Sequence, residues 1–173
     1  TITTTGANSA GAIAQGSSSI HLDGSSVTTQ GDGSTGLVAR SGGILSTINT
    51  TVTTTGDGAN GVNVVGEDVH TRLKMTGGGI TTSGEQSIGL YVADGTYAEL
   101  DGVSITTSGK QANGVVASGM NSSGVRSQVR LSNTTLSTSG EQSAGLVAEG
   151  GGSINANDST ITTSGDNAAG VML

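Results

Sequence analysis

The chain has 173 residues, enough for one domain, with 31 glycines and no proline, cysteine, tryptophan or phenylalanine. A net charge of -7 with only 11% charged residues excludes the basic stripe that nucleic acid requires. No apolar run approaches the roughly 20 residues of a membrane helix, so direct membrane insertion of this segment is excluded as well. The glycine shows no Gly-X-Y period, which rules out collagen, and the apolar residues recur at fixed positions, which argues against disorder.

The first element of each unit is a Thr-rich strand opened by an apolar residue, at Ile2, Val27, Val52, Ile80, Ile105, Leu136 and Ile161. The steps between them are 25, 25, 28, 25, 31 and 25 residues. A fixed period of this length marks a stacked architecture, in which each unit completes its core only against its neighbours. In the unit from Ile80, Ile80 and Thr82 point inward while Thr81 and Ser83 point out. Gly84 ends this strand, in a turn expected to need positive φ at that glycine. The same glycine recurs at 6, 31, 56, 109, 140 and 165.

The second strand follows another recurring glycine (11, 36, 61, 89, 114, 145 and 170) and places Leu90 and Val92 inward, with Tyr91 outward. The third places Ala98 and Leu100 inward and Glu99 outward. Period-two alternation runs through all three. Around Ile44–Ile48 the register of the third strand is ambiguous. Three short strands per coil of about 25 residues, stacked through six to seven coils, define an all-β parallel β-helix. It is expected to be right-handed, as most parallel crossovers are. At about 4.8 Å per coil the rod is roughly 30 Å long. Residues 1–173 read as a single β-helical domain. No sequence suggests a cap over the open strand edges, so the chain is expected to be a piece of a longer protein.

The longer units place their extra residues between strands two and three, at about Val65–Arg72 and Ser118–Gln128, two coils apart on one edge. Insertions on one side of a solenoid often mark a binding side, although surface loops also tolerate drift. Arg72, Lys74, Tyr97, Arg126 and Arg130 gather there as a candidate insertion-edge patch for an acidic or glycan ligand. The competing reading is a surface charge ladder in which Lys74, Glu99 and Arg130 alternate in sign. A second candidate is the outward stripe of the second strands, where Ile13, Val38, Tyr91, Val116 and Val147 offer an apolar contact surface interrupted by Asn63.

Other columns favour plainer readings. Asp32, Asp57, Glu85, Glu141 and Asp166 share a turn position, interrupted by Lys110; they lack a GGxGxD pattern and read as solvated turn residues, so no metal is expected. The outward Thr3, Thr28, Thr53, Thr81 and Thr106 belong to a Thr-x-Thr/Ser array of the kind that binds ice, but threonine is also a good strand former, and Gln30 spoils the array. Glu67, Asp68, His70 and Arg72 share one loop without the clustered carboxylates of a polysaccharide-cleaving enzyme. The chain therefore reads as a non-enzyme with no catalytic residues and no cofactor. A polysaccharide-acting β-helix enzyme is the alternative reading, and ice binding a lesser one.

Units such as "ITTSGEQSAGLVAEGGGSINANDST" and "VTTQGDGSTGLVARSGG" resemble the pertactin-like passenger domains of bacterial autotransporters. The shared pattern is a Thr-Thr strand, a glycine turn, "AGLVA" and a "GGG" turn before the third strand. The resemblance covers all the coil starts. It implies an extracellular rod exported through the outer membrane by a C-terminal barrel and displayed at the bacterial cell surface. It also implies adhesion, aggregation or biofilm formation as the role. The expected partners are a host-surface protein or glycan, or a second rod through self-association. A chain without cysteine suits such export, because no early disulfide can block its passage. No GDSG-type nucleophile motif of the serine-protease branch is present, and no RGD motif.

Overall fold

A computed structural model describes all 173 residues, as a β-solenoid of seven turns without a helix. The first coil holds β1 (Ile2–Thr4), β2 (Ala12–Gln15) and β3 (Ser19–Asp23). In the second, β4 (Ser26–Thr29) and β5 (Leu37–Arg40) precede β6 (Ile44–Thr54), which runs on into the first strand of the third coil. After β7 (Val62–Val65), β8 (Arg72–Thr82) makes the same junction into the fourth coil, which continues with β9 (Leu90–Ala93) and β10 (Tyr97–Asp101). The fifth coil is β11 (Ser104–Thr107), β12 (Val115–Ser118) and β13 (Gln128–Ser132), and the sixth is β14 (Thr135–Thr138), β15 (Leu146–Glu149) and β16 (Ser153–Asn157). The chain closes with β17 (Thr160–Thr163) and β18 (Val171–Met172).

Each strand pairs in parallel with its counterpart one coil away, with Ile80 opposite Val52 and Ile105, for example, and Tyr97 opposite Arg72 and Gln128. The second strands form their own seven-stranded sheet, while the third and first strands share an eleven-stranded one. The corner between them is turned by one recurring left-handed residue, joined in β8 by a second, Gly78 (φ 80°). The recurring residue is Gly24, Asn49, Gly77, Gly102, Asn133 and Asp158 in successive coils, all with φ between 46° and 64°. Only Gly, Asn and Asp occupy the column, the residues for which the left-handed region costs least.

The core is one cluster of 23 buried residues running the length of the rod. First strands supply Val27, Val52, Ile80, Ile105 and Leu136; second strands supply Leu37, Val62, Leu90, Val115 and Leu146. Third strands add Leu73, Met75, Leu100 and Leu131. A fully buried side chain of this kind stabilises the fold by about 1.5–3 kcal/mol. The ambiguous segment resolves through its neighbours: Leu45 and Thr47 turn inward, opposite Ile20 and Leu22 on one side and Leu73 and Met75 on the other, which leaves Ile48 exposed.

The inward threonine of the first strand has a polar task. Oγ1 of Thr29, Thr54, Thr82 and Thr107 donates to the carbonyl five residues ahead, at 2.6–2.8 Å, closing the turn from inside. Buried serines then fasten coils in pairs. The Ser87 hydroxyl accepts from the Ala59 N–H (3.0 Å) and donates to the Gly56 carbonyl (3.0 Å). Ser34 and Ser143 repeat this clasp on Ser9/Gly6 and Ala112/Gly109.

The expectation of positive φ at Gly84 is corrected by the structure. The left-handed residue lies two positions later, at Gln86 (φ 56°), with Asn8, Gly33, Gly58, Gln111, Gln142 and Asn167 as its equivalents. The first glycine is needed for close approach instead. A Cβ on Gly109 would stand 1.8 Å from the carbonyl oxygen of Gly84 in the coil before. The second glycine yields its space to the core: a Cβ on Gly61 would sit 2.3 Å from Cγ2 of Ile80.

Two stability outcomes follow from this packing. Gly109→Ala forces backbone apart between coils, and we expect a loss at or above the upper end of the ~1–3 kcal/mol of ordinary overpacking, read by denaturant titration. Thr47→Val should stabilise, because the buried Thr47 hydroxyl has no partner. The gain expected is about 1 kcal/mol, seen as a raised Tm, and an unchanged or lowered Tm would refute it.

Candidate functional site

The two insertions reach each other over the fourth coil. The loop after β12 is folded around Asn121, whose Oδ1 accepts from the Val125 N–H (2.8 Å) and the Ser123 N–H (3.1 Å). Asn121 Nδ2 donates to the Glu67 carbonyl at 3.4 Å, and the Ser122 hydroxyl donates to the Glu67 carboxylate. Between them the fourth coil passes as a short turn at Asp94–Gly95. There the backbone comes so close that a Cβ on Gly95 would meet the Val125 carbonyl oxygen at 2.7 Å. Gly95 N–H donates to Ser127 Oγ (3.0 Å), which itself donates to the Ser118 carbonyl (2.7 Å). The insertions therefore form one braced edge.

Beside this edge lies the outward face of β8, β10, β13 and β16. Register fixes two columns on it: Arg72, Tyr97, Gln128 and Ser153, and next to it Lys74, Glu99, Arg130 and Asn155. Of the insertion-edge patch, Arg72, Lys74, Tyr97 and Arg130 thus stand on adjacent strands. Arg126 lies on the loop, where it bridges Met120. Tyr97, Gln128, Val129, Arg130, Ser153 and Asn155 line an open trough of about 300 Å³. Glu99 Oε1 lies 3.9 Å from Lys74 Nζ, and its Oε2 accepts from the Tyr97 hydroxyl at 3.3 Å. Partial burial raises the Tyr97 phenol above its ordinary value of 10.0; the Glu99 charge and hydrogen bond add to the shift, and Arg130 opposes it.

The apolar stripe of the second strands is less open than its sequence suggests. Val116 and Val147 are 3% and 6% exposed, in a lateral cluster with Ala144 that Ile88, Tyr91 and Ala169 complete. This corrects their assignment to a free contact surface. The residue before the second glycine (Ile88, Ala144 or Ala169) packs against the outward positions, and its apolar character in those coils is the signal that could have shown it. Ile13 remains 42% exposed, while Val38 and Tyr91 are half-buried. Asn63 ties itself to Asn60 (2.9 Å) and to Thr35 (3.3 Å).

The acidic turn column is occupied by structural bonds. Asp32 and Asp57 carboxylates accept backbone N–H groups of the next coil at 3.0 and 2.8 Å, and Lys110 pairs with Glu141 at 3.2 Å. Beside it the left-handed glutamines form an amide ladder, Gln86 to Gln111 (3.2 Å) and Gln111 to Gln142 (3.0 Å). His70 is exposed and bonds Asp68 at 2.9 Å; the backbone and imidazole bonds from His70 lower the Asp68 carboxyl. The outward threonines are in register from Thr3 through Thr28, Thr53, Thr81 and Thr106, then Ser137 and Thr162.

In comparisons with known proteins, no family model, no curated protein and no solved structure matches the chain.

The Tyr97–Glu99 contact has a spectroscopic consequence. In a Tyr91→Phe background the remaining phenol should titrate above 10.0 by ultraviolet absorbance, and Glu99→Gln should bring it down while Arg130→Gln raises it. Because the folded value is raised, the stabilisation tied to the neutral phenol is complete below about pH 10 and is lost as pH rises through the folded pKa. An ordinary phenol value that neither variant moves would contradict the contact.

Proposed function

We propose that this chain is a surface-displayed β-helical passenger segment that acts without catalysis, as an adhesin or the stalk of one. The observation that carries this reading is the continuous parallel ladder through all seven coils combined with a single braced, loop-bearing edge. Hydrogen bonds along the axis make such a rod stiff and give proteases few open segments. A loop edge held by its own side chains presents contact residues in fixed positions. The likeness of its units to pertactin-like passengers supports export through an outer-membrane barrel and an extracellular location. On this reading the partners are a host-surface protein or glycan, or another rod, and the segment uses no cofactor.

The test is display. The chain would be fused ahead of an outer-membrane display barrel and compared with the barrel alone. The expected result is a protease-resistant passenger on intact cells that increases cell settling or attachment to glycan- or protein-coated surfaces. A passenger that reaches the surface folded but leaves settling and attachment unchanged would overturn the adhesive role.

A further inference from the structure

We propose that the trough on the β10–β13–β16 face binds a saccharide carrying a single carboxylate, a uronic or sialic acid residue, with Arg130 holding the carboxylate. The proposal rests on the adhesive reading above and names the chemical class of its ligand.

The first argument is an accounting of positive charge. The chain has only six Lys and Arg residues against thirteen Asp and Glu. Lys74 lies beside Glu99, Lys110 pairs with Glu141, and Arg40 Nε donates to Gln15 Oε1 at 2.9 Å. The remaining three, Arg72, Arg126 and Arg130, make no side-chain hydrogen bond or ion pair, and all belong to the braced edge and its adjoining sheet face. In a chain of net charge -7, unpaired guanidinium groups gathered in one region are an unusual distribution.

The second argument concerns Glu99, the carboxylate that register places between Lys74 and Arg130. If Glu99 paired with Arg130 it would cancel the charge a ligand needs. It turns the other way: its two oxygens engage Lys74 and the Tyr97 hydroxyl. The Tyr97 hydroxyl is thereby anchored at one end of the trough, and the guanidinium of Arg130 is left free within it.

The third argument is the lining. Besides Tyr97 and Arg130 it consists of Gln128, Ser153 and Asn155, with the buried Val129 beneath. Amide and hydroxyl side chains donate to and accept from sugar hydroxyls, an aromatic residue offers a face to sugar C–H groups, and the planar guanidinium matches a carboxylate with two parallel bonds. The volume of about 300 Å³ is at the small end of ligand pockets and suits a short saccharide. All these residues stand on hydrogen-bonded strands, so their spacing is set by the ladder. The overall negative charge disfavours polyanions, whose remaining charges would meet an acidic rod. A ligand with one carboxylate among neutral hydroxyls avoids that penalty.

The experiment is calorimetric titration of the purified chain with a neutral disaccharide capped by one glucuronic acid, the methyl ester of that trisaccharide and 3′-sialyllactose. We expect saturable binding of at least one acidic probe, which also distinguishes a uronic from a sialic source. Esterification of the single uronic carboxylate should weaken its binding roughly tenfold or more, as loss of a charge-assisted contact implies. Arg130→Gln should do the same to whichever acidic probe binds, Arg130→Lys should recover only part of the affinity, and Arg40→Gln should change nothing. Melting curves of each variant establish that it folds. Absence of saturable binding by both acidic probes, equal binding of the methyl ester, or full binding by a folded Arg130→Gln variant would overturn the proposal. Such a failure, with adhesion of displaying cells intact, removes the saccharide site alone. Binding in solution without adhesion on cells removes the adhesive reading alone.

Discussion

Every backbone N–H and C=O in a strand of this chain must find its partner in the coil above or below, at one fixed spacing. A compact globule can satisfy local irregularity by bending; a ladder that repeats along an axis cannot. Whatever one coil does, the next must be able to lie against it. The stacked glycines show how tight the constraint is: each Gly of the first column rests its Cα face on the carbonyl of the same Gly one coil earlier, with no room for a methyl group. The core follows the same rule, since each inward residue packs on its own counterparts. Extra residues can enter only where the chain is off the ladder, and both insertions lie between the second and third strands.

The ladder also explains why polar groups inside the rod are tolerated. A threonine hydroxyl facing the interior would ordinarily be a cost, yet in four successive coils it closes a turn by reaching a carbonyl five residues on. Carboxylates at the neighbouring turn accept N–H groups from the next coil, and amide side chains stack into a ladder of their own. Those glutamines hold left-handed backbone, for which a non-glycine residue incurs about 1–2 kcal/mol. The amide bonds between coils offset part of that cost.

The fold was legible in the sequence because a solenoid writes its geometry as a period. Coil starts, inward pairs and insertion points could all be read by counting. Other features escaped counting, the site of the left-handed residue after Gly84 among them. The register at Ile44–Ile48 alternates apolar residues on both parities, and only the neighbouring coils decide that Leu45 and Thr47 go inward. The outward stripe looked open because alternation says which side of a strand a residue takes but not what leans over it; Ile88, Ala144 and Ala169 come from the preceding turn and close over Val116 and Val147. For the edge patch, stacking placed Lys74, Glu99 and Arg130 in one column, but which cation Glu99 joins is a matter of side-chain rotamer, invisible to any residue count.

The serine clasps alternate. Ser34, Ser87 and Ser143 each reach back one coil, while Ala59 and Ala112 in the coils between them have no hydroxyl and only donate their N–H to the clasp. Chemically the rod therefore repeats every two coils although its strands repeat every one. Loss of the coil bearing Ser87 would put Ala59 against Ala112 and leave an interior N–H without its hydroxyl. Repeat proteins commonly lengthen and shorten by unequal exchange of their units. Here only a gain or loss of coils in couples, an Ala coil together with the Ser coil that clasps it, leaves every clasp intact.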